Sequence, residues 1–255
     1  MKLYDAIIRK LPALLKGRRG KAYVYQQDRA WPESDAFELL LQKDTAYELG
    51  AGGHEAVNFT CVTDDAFLMK AFCKDEGKDR ILLFGKDLPE IKEAHDYARI
   101  TLLLLRPEYA AEADAGKTFQ TLQELDFVKY NVHPKGYMVR TSNQNHREQV
   151  RIGRRALQKG MTFEAIGNTF INKYRQNEKV CQVCLIFITD ECMDYKALYQ
   201  MAKQTADIRN SLSQMKKGLP TECAICEIKD ICNEIEGLRE LHFGSKEKKK
   251  AEVRI

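Results

Sequence analysis

The sequence predicts an α+β fold, a mixed sheet with helices, on three observations. First, the short runs Val57–Val62, Arg80–Phe84, Ile100–Leu105 and Val180–Thr189 are rich in β-branched, aromatic or leucine residues and read as strands. Second, Phe163, Ile166, Phe170, Ile171 and Tyr174 recur at helical spacing, as do Tyr195, Leu198, Thr205, Ile208, Leu212 and Met215. Third, strand-like and helix-like segments are interspersed along the chain, so both must share one layered core. With 255 residues, 44% apolar and 31% charged, the chain can bury such a core.

The remaining elements follow in order. Met1 to Lys16 reads as an amphipathic helix with Leu3, Ala6, Ile7, Leu11 and Leu14 on one face. Its charges, Asp5, Arg9 and Lys10, break the continuous apolar core that a signal peptide needs. The basic turn Lys16–Lys21 reads as a solvated loop. Phe37–Gln42 and Tyr137–Thr141 read as further strands, Leu88–Tyr97 and Glu108–Leu125 as helices. Asn145–Lys159 reads as a basic helix stopped at Gly160, and Thr162 as the cap of the next. Asp194–Lys217 is a long helix ended by Gly218. These readings divide the chain into an N-terminal helix and basic turn (1–35), an α+β domain (36–218), a cysteine-cluster segment (219–244) and a disordered lysine-rich tail (245–255).

No run approaches the ~20 apolar residues of a membrane span. The formal net charge of +4 is too weak to call for nucleic acid or a membrane surface. The eight cysteines, read without a secretory signal, point to a reducing compartment and a cytoplasmic protein.

The strongest chemical signal is Cys223, Cys226 and Cys232, a Cys-x2-Cys-x5-Cys pattern. A turn brings the first two thiolates to one metal's width, and thiolates suit zinc or an iron–sulfur cluster. A fourth ligand would come from upstream, with Cys181 and Cys192 the first candidates, or from His242, a partner chain or a non-protein ligand. Cys181 and Cys184 lie within a strand, where residues three apart face opposite ways, so they read as ordinary strand residues. The glycine-rich Glu48–His54 precedes a strand rather than a helix and lacks the Lys-Ser/Thr of a nucleotide loop, so it reads as a turn between strands. On the predicted basic helix, Arg147, Arg151, Arg154 and Arg155 would share a face able to dock a phosphorylated ligand or an acidic partner. His133 and His146 read as structural.

Read together, Tyr47–Gly53, Val139–Ser142, Arg151–Gly160, Phe163–Gly167, the strand ending Ile188–Asp190, the long helix and the cysteine motif resemble, in order, segments of the acetyl-CoA synthase family, the β subunit of the CO dehydrogenase/acetyl-CoA synthase complex. The resemblance implies the family's middle domain. It further implies that Cys223, Cys226 and Cys232 begin a [4Fe–4S] cluster, and that Arg151, Arg154 and Arg155 lie near coenzyme A. CO dehydrogenase or a corrinoid iron–sulfur protein would be the partner. The chain departs from the family in its five-residue gap before Cys232, in having no later cysteine, and in lacking the Cys-Gly-Cys segment that binds nickel. It therefore reads as a truncated homologue in which nickel is not expected, and as an accessory or partner-binding iron–sulfur protein of one-carbon or acetyl-CoA metabolism. The alternative is a non-catalytic module stapled by zinc or a structural cluster. A nuclease carrying a similar cysteine staple is a third class, but its carboxylate–lysine core has no evident place here.

Overall fold

Among the described residues, eight strands make two sheets. β1 (Gly20–Val24), β4 (Arg80–Phe84), β8 (Val180–Ile188), β5 (Tyr97–Leu105) and β3 (Ala56–Thr63) lie in that spatial order in the larger one. Within it, β4–β8 and β3–β5 pair in parallel, β1–β4 and β5–β8 antiparallel. β2 (Thr45–Leu49), β7 (Arg147–Gly153) and β6 (Tyr137–Ser142) form a smaller antiparallel sheet. The helices are α1 (Asp5–Leu15), α2 (Ala66–Lys70), α3 (Pro107–Ala110), α4 (Ala115–Phe127), α5 (Arg154–Gln158), α6 (Phe163–Arg175), α7 (Tyr195–Lys217) and α8 (Lys229–Glu234). This architecture comes from a computed structural model that describes residues 2–35, 38–73, 77–110, 114–142, 146–218, 226, 228–235, 237–238 and 241.

The apolar runs of β3, β5 and β8 reflect cover on both faces. α6 lies on one face. Phe163 packs on Phe187 with ring centroids 4.6 Å apart, and Gly167 sits so close to β4 that a Cβ there would lie 2.7 Å from Ile81. α1 and α2 lie on the other face, where Thr63 donates to Asp5 at 2.9 Å. α7 runs along the edge strand β3 and packs on α4, shielding that edge from strand pairing with other chains. Leu3, Ile7, Ile8 and Leu11 of the N-terminal segment, the sheet interior, and Ile235 and Leu238 beyond α7 join one core cluster.

The predicted strands at 57–62, 80–84, 100–105, 137–141 and 180–189 are present with small changes of boundary. So are the helices begun by Thr162, whose hydroxyl accepts from Ala165 N–H at 3.2 Å, and by Asp194, which accepts from Ala197 N–H at 2.9 Å. The glycine-rich segment joins β2 to β3, as a turn between strands should. Gly50 has φ +67°, and a Cβ there would meet that of Ala56 at 2.6 Å, so the turn demands glycine.

Four expectations are corrected. Asn145–Lys159 is not a helix: residues 147–153 form β7, and only the five residues of α5 are helical. The arginine spacing that suggested a helix, Arg147 to Arg151, is four residues, an even number that also puts both on one side of a strand. The other side carries Glu148, Val150 and Ile152, all buried. Leu88–Tyr97 holds only a three-residue 3-10 turn, closed by an Asp87–Glu90 capping box with Pro89 inside it, and Tyr97 opens β5. Glu108–Leu125 is two helices, because Asp114 is extended and caps α4 through Lys117 N–H. Of Phe37–Gln42, residues 38–41 run unpaired beside β6 and a 3-10 turn follows from Gln42; Leu39 and Leu41 are exposed, so no burial rewards pairing. β1 had no strand signal in sequence, its burial being slight on both sides.

Candidate functional site

Gly218, at φ +94°, ends α7. Cys223 and His242 lie outside the described residues, as does the tail 245–255. Cys226 is half-buried, and its carbonyl accepts from Lys229 N–H at 3.1 Å in the turn that opens α8, the helix that carries half-buried Cys232. This stretch is packed against the body of the protein: Ile228, Ile235 and Leu238 are buried, and Gly237 lies against Leu3. Neither cysteine is in a disulfide. Two thiols on a turn and the helix it opens fit a soft metal as donors, with Cys223 as the third member of the predicted set. Among the described residues alone, no three His, Cys, Asp or Glu side chains are placed to hold a metal ion. Cys181 and Cys192 are both exposed but flank opposite ends of β8, a nine-residue strand that spans roughly 30 Å. Cys181 is exposed and Cys184 fully buried, the opposite facing expected of a strand.

The three arginines do not share a helical face. Arg151 leaves β7, pairs with Glu48 through Nε at 2.6 Å and donates to Leu40 O at 3.0 Å. Arg154 and Arg155 stand in the first turn of α5, both exposed; Arg154 Nε donates to Thr45 O at 3.0 Å. A cavity beside Arg151 holds about 10 Å³, at the lower limit for one water.

The densest polar chemistry lies where the small sheet meets the α6 face of the large one. Arg99 and Glu148 are fully buried side chains in a two-pronged pair, Nε–Oε1 at 2.7 Å and Nη2–Oε2 at 2.5 Å. Asn58, across from Arg99 in the β3–β5 register, donates Nδ2 to Glu148 Oε2 at 2.5 Å. The Tyr97 hydroxyl lies 2.9 Å from that of Tyr137 and 3.4 Å from Glu148 Oε1. Phe170 of α6 lays its ring 4.2 Å from the fully buried Arg99 guanidinium carbon, a cation–π contact strengthened by that burial. Arg99 Nη1, buried nearby, has no hydrogen-bond partner among the described residues.

The network continues outward. Lys129 bonds Asp126 Oδ1 at 2.8 Å and Asn58 Oδ1 at 3.4 Å, and Arg209 of α7 reaches Asp126 Oδ2 at 2.5 Å. Burial opposes the charge on Asp126, but the two cations beside it hold its carboxyl below the usual range. Burial draws the Lys129 amine below the ordinary lysine value, with Arg209 and Arg99 adding to the fall and Asp126 resisting it. His146 precedes β7 with φ +50°, which is unusual without glycine, and its ring meets Tyr199 edge-on at 6.1 Å. Burial and Arg209 lower its pKa.

Sequence reading missed this network. The available signal was a polar residue set within an apolar run: Asn58 in β3 and Arg99 in β5. Comparison with known proteins adds no relative: no family model matches the chain, and no curated protein matches it.

Proposed function

We propose that this chain is an acetyl-CoA synthase-like iron–sulfur protein of CO, one-carbon or acetyl-CoA metabolism, acting as an accessory or partner-binding component rather than as a complete synthase. One observation carries the reading: the segment holding Cys226 and Cys232 is anchored by buried Ile228, Ile235 and Leu238, which gives its thiols a fixed seat. The α+β body would correspond to the family's middle domain. Cys223, Cys226 and Cys232 would hold the cluster, most simply a [4Fe–4S] centre with a fourth ligand from elsewhere. Such a cluster supplies one-electron transfer or a structural clamp. The protein's part is to deprotonate the thiols and keep their backbone turn in place.

Partners on this reading are CO dehydrogenase or a corrinoid iron–sulfur protein. Arg154 and Arg155, exposed on α5, remain available to coenzyme A or to an acidic surface, whereas Arg151 is already committed to Glu48.

The test is anaerobic purification with metal and sulfide analysis and an absorption spectrum. Iron and sulfide near four per chain support the proposal, and replacing Cys226 and Cys232 by serine should abolish both. One zinc and no colour would instead make the chain a non-catalytic metal-stapled module. Stoichiometric nickel would restore the case for synthase chemistry. Calorimetry with coenzyme A decides the arginine role: Arg154→Glu with Arg155→Glu should weaken binding, and no binding to the wild type removes it.

A further inference from the structure

A cavity of about 270 Å³ opens beside the buried network, between β6 and residues 38–40. Its walls include Leu40, Lys129, Tyr130, Val132, Tyr137 and Met138. Lys129 follows α4 in a 3-10 turn, Val128–Asn131, and only 4% of its side chain is exposed. A lysine so thoroughly desolvated normally has its charge fully matched.

Here the match is incomplete. Three cations, Arg99 of β5, Arg209 of α7 and Lys129 itself, share two carboxylates, Glu148 of β7 and Asp126 of α4. Arg99 occupies Glu148 with two bonds, and Arg209 takes one oxygen of Asp126. Lys129 keeps the other oxygen and a long contact to the Asn58 amide oxygen. An ammonium has three donors, and these contacts use two. The Tyr130 ring stands 5.2 Å from Nζ. Burial and the neighbouring guanidiniums draw the amine below the ordinary lysine range, which enlarges its nucleophilic fraction near neutral pH.

We infer that Lys129 is a reactive amine that condenses with a small carbonyl compound held in this cavity. The nitrogen lone pair attacks the carbonyl carbon, a C–N bond replaces C=O, and the oxygen leaves as water with two of the ammonium's three protons. The protonated imine keeps one positive charge, so Asp126 remains its counter-ion. The surplus cation favours a carbonyl compound that also bears a carboxylate, such as a 2-oxo acid. This site involves none of the cysteine segment and stands or falls apart from it.

The experiment treats the full chain at pH 7.5 with glyoxylate and cyanoborohydride, which reduces any imine to a stable carboxymethyl-amine, and maps adducts by peptide mass spectrometry. A depressed amine pKa leaves a larger share of the lysine unprotonated at this pH. Lys129 should therefore be modified faster than exposed Lys43 and Lys203, and should fall to their rate in denaturing urea. Lys129→Arg, which keeps the charge beside Asp126, should remove that adduct and no other. A merely structural ion pair predicts the reverse, with Lys129 protected by burial. Slow or equal modification of Lys129 in the folded protein, or fast modification that persists in urea, would overturn the inference.

Discussion

Arg99 and Glu148 show how a single pair of residues can set the order of a core. Bringing both from water into the interior is costly, and their two-pronged geometry together with the Asn58 amide offsets that cost only while all members remain. Glu148→Ala leaves a buried guanidinium unmatched and should destabilise the fold by about 3–5 kcal/mol. Adding Arg99→Met should cost less than the sum of the two single changes, since the second removes the orphaned charge. Urea denaturation of the three variants measures this. His146 supports a prediction about pH. Its folded-state pKa is depressed, so below about 6.5 the unfolded chain takes up a proton that the folded one resists, and stability falls as pH falls through that region. Arg209 and Lys129 add to the depression, while Asp207 and Asp126 oppose it. Asparagine tolerates the left-handed backbone and does not titrate. The melting temperature of His146→Asn, relative to wild type, should therefore rise between pH 7.5 and pH 5; an unchanged difference would assign no titration to this ring.

At the scale of elements, caps and burial decide where helices and strands begin. α6 places Phe163, Ile166, Phe170, Ile171 and Tyr174 against the sheet, all wholly buried, and Thr162 satisfies a first-turn N–H. Thr162→Ala should cost about 1 kcal/mol, read as a lower urea midpoint at unchanged slope. These two helical signals were legible because each is local: an apolar stripe with a period of 3.6 and a side-chain cap next to it. β7 was not legible. Its buried side carries a glutamate, whose reason to be there is an arginine 49 positions earlier in the chain, and its other side carries the arginines that resemble a basic helix.

At the scale of the molecule, α1 is built into the central core although it was set apart in the sequence reading. Leu11 is wholly buried, and Arg18 beyond the helix reaches Asp190 and the Cys192 carbonyl past the end of β8. Leu11→Ala should destabilise the protein by about 2–5 kcal/mol. The loss should appear equally in far-ultraviolet dichroism and in the fluorescence of Trp31, the single tryptophan, which bonds Lys135 O far from α1. Separate transitions would mean that the N-terminal segment melts on its own.

The mixed α+β class, the two principal amphipathic helices, the central strands and the turn at Gly50 were legible in the chain alone, because each is written in the period of neighbouring side chains or in a glycine-rich turn. Which strands pair, that Arg147 and Arg151 leave a strand, and that Asn58, Arg99, Lys129, Glu148 and Arg209 converge emerge only from the folded chain. The reason is physical. A buried charge survives only beside its counter-charge, and that counter-charge is supplied by residues that the sequence alone leaves far apart.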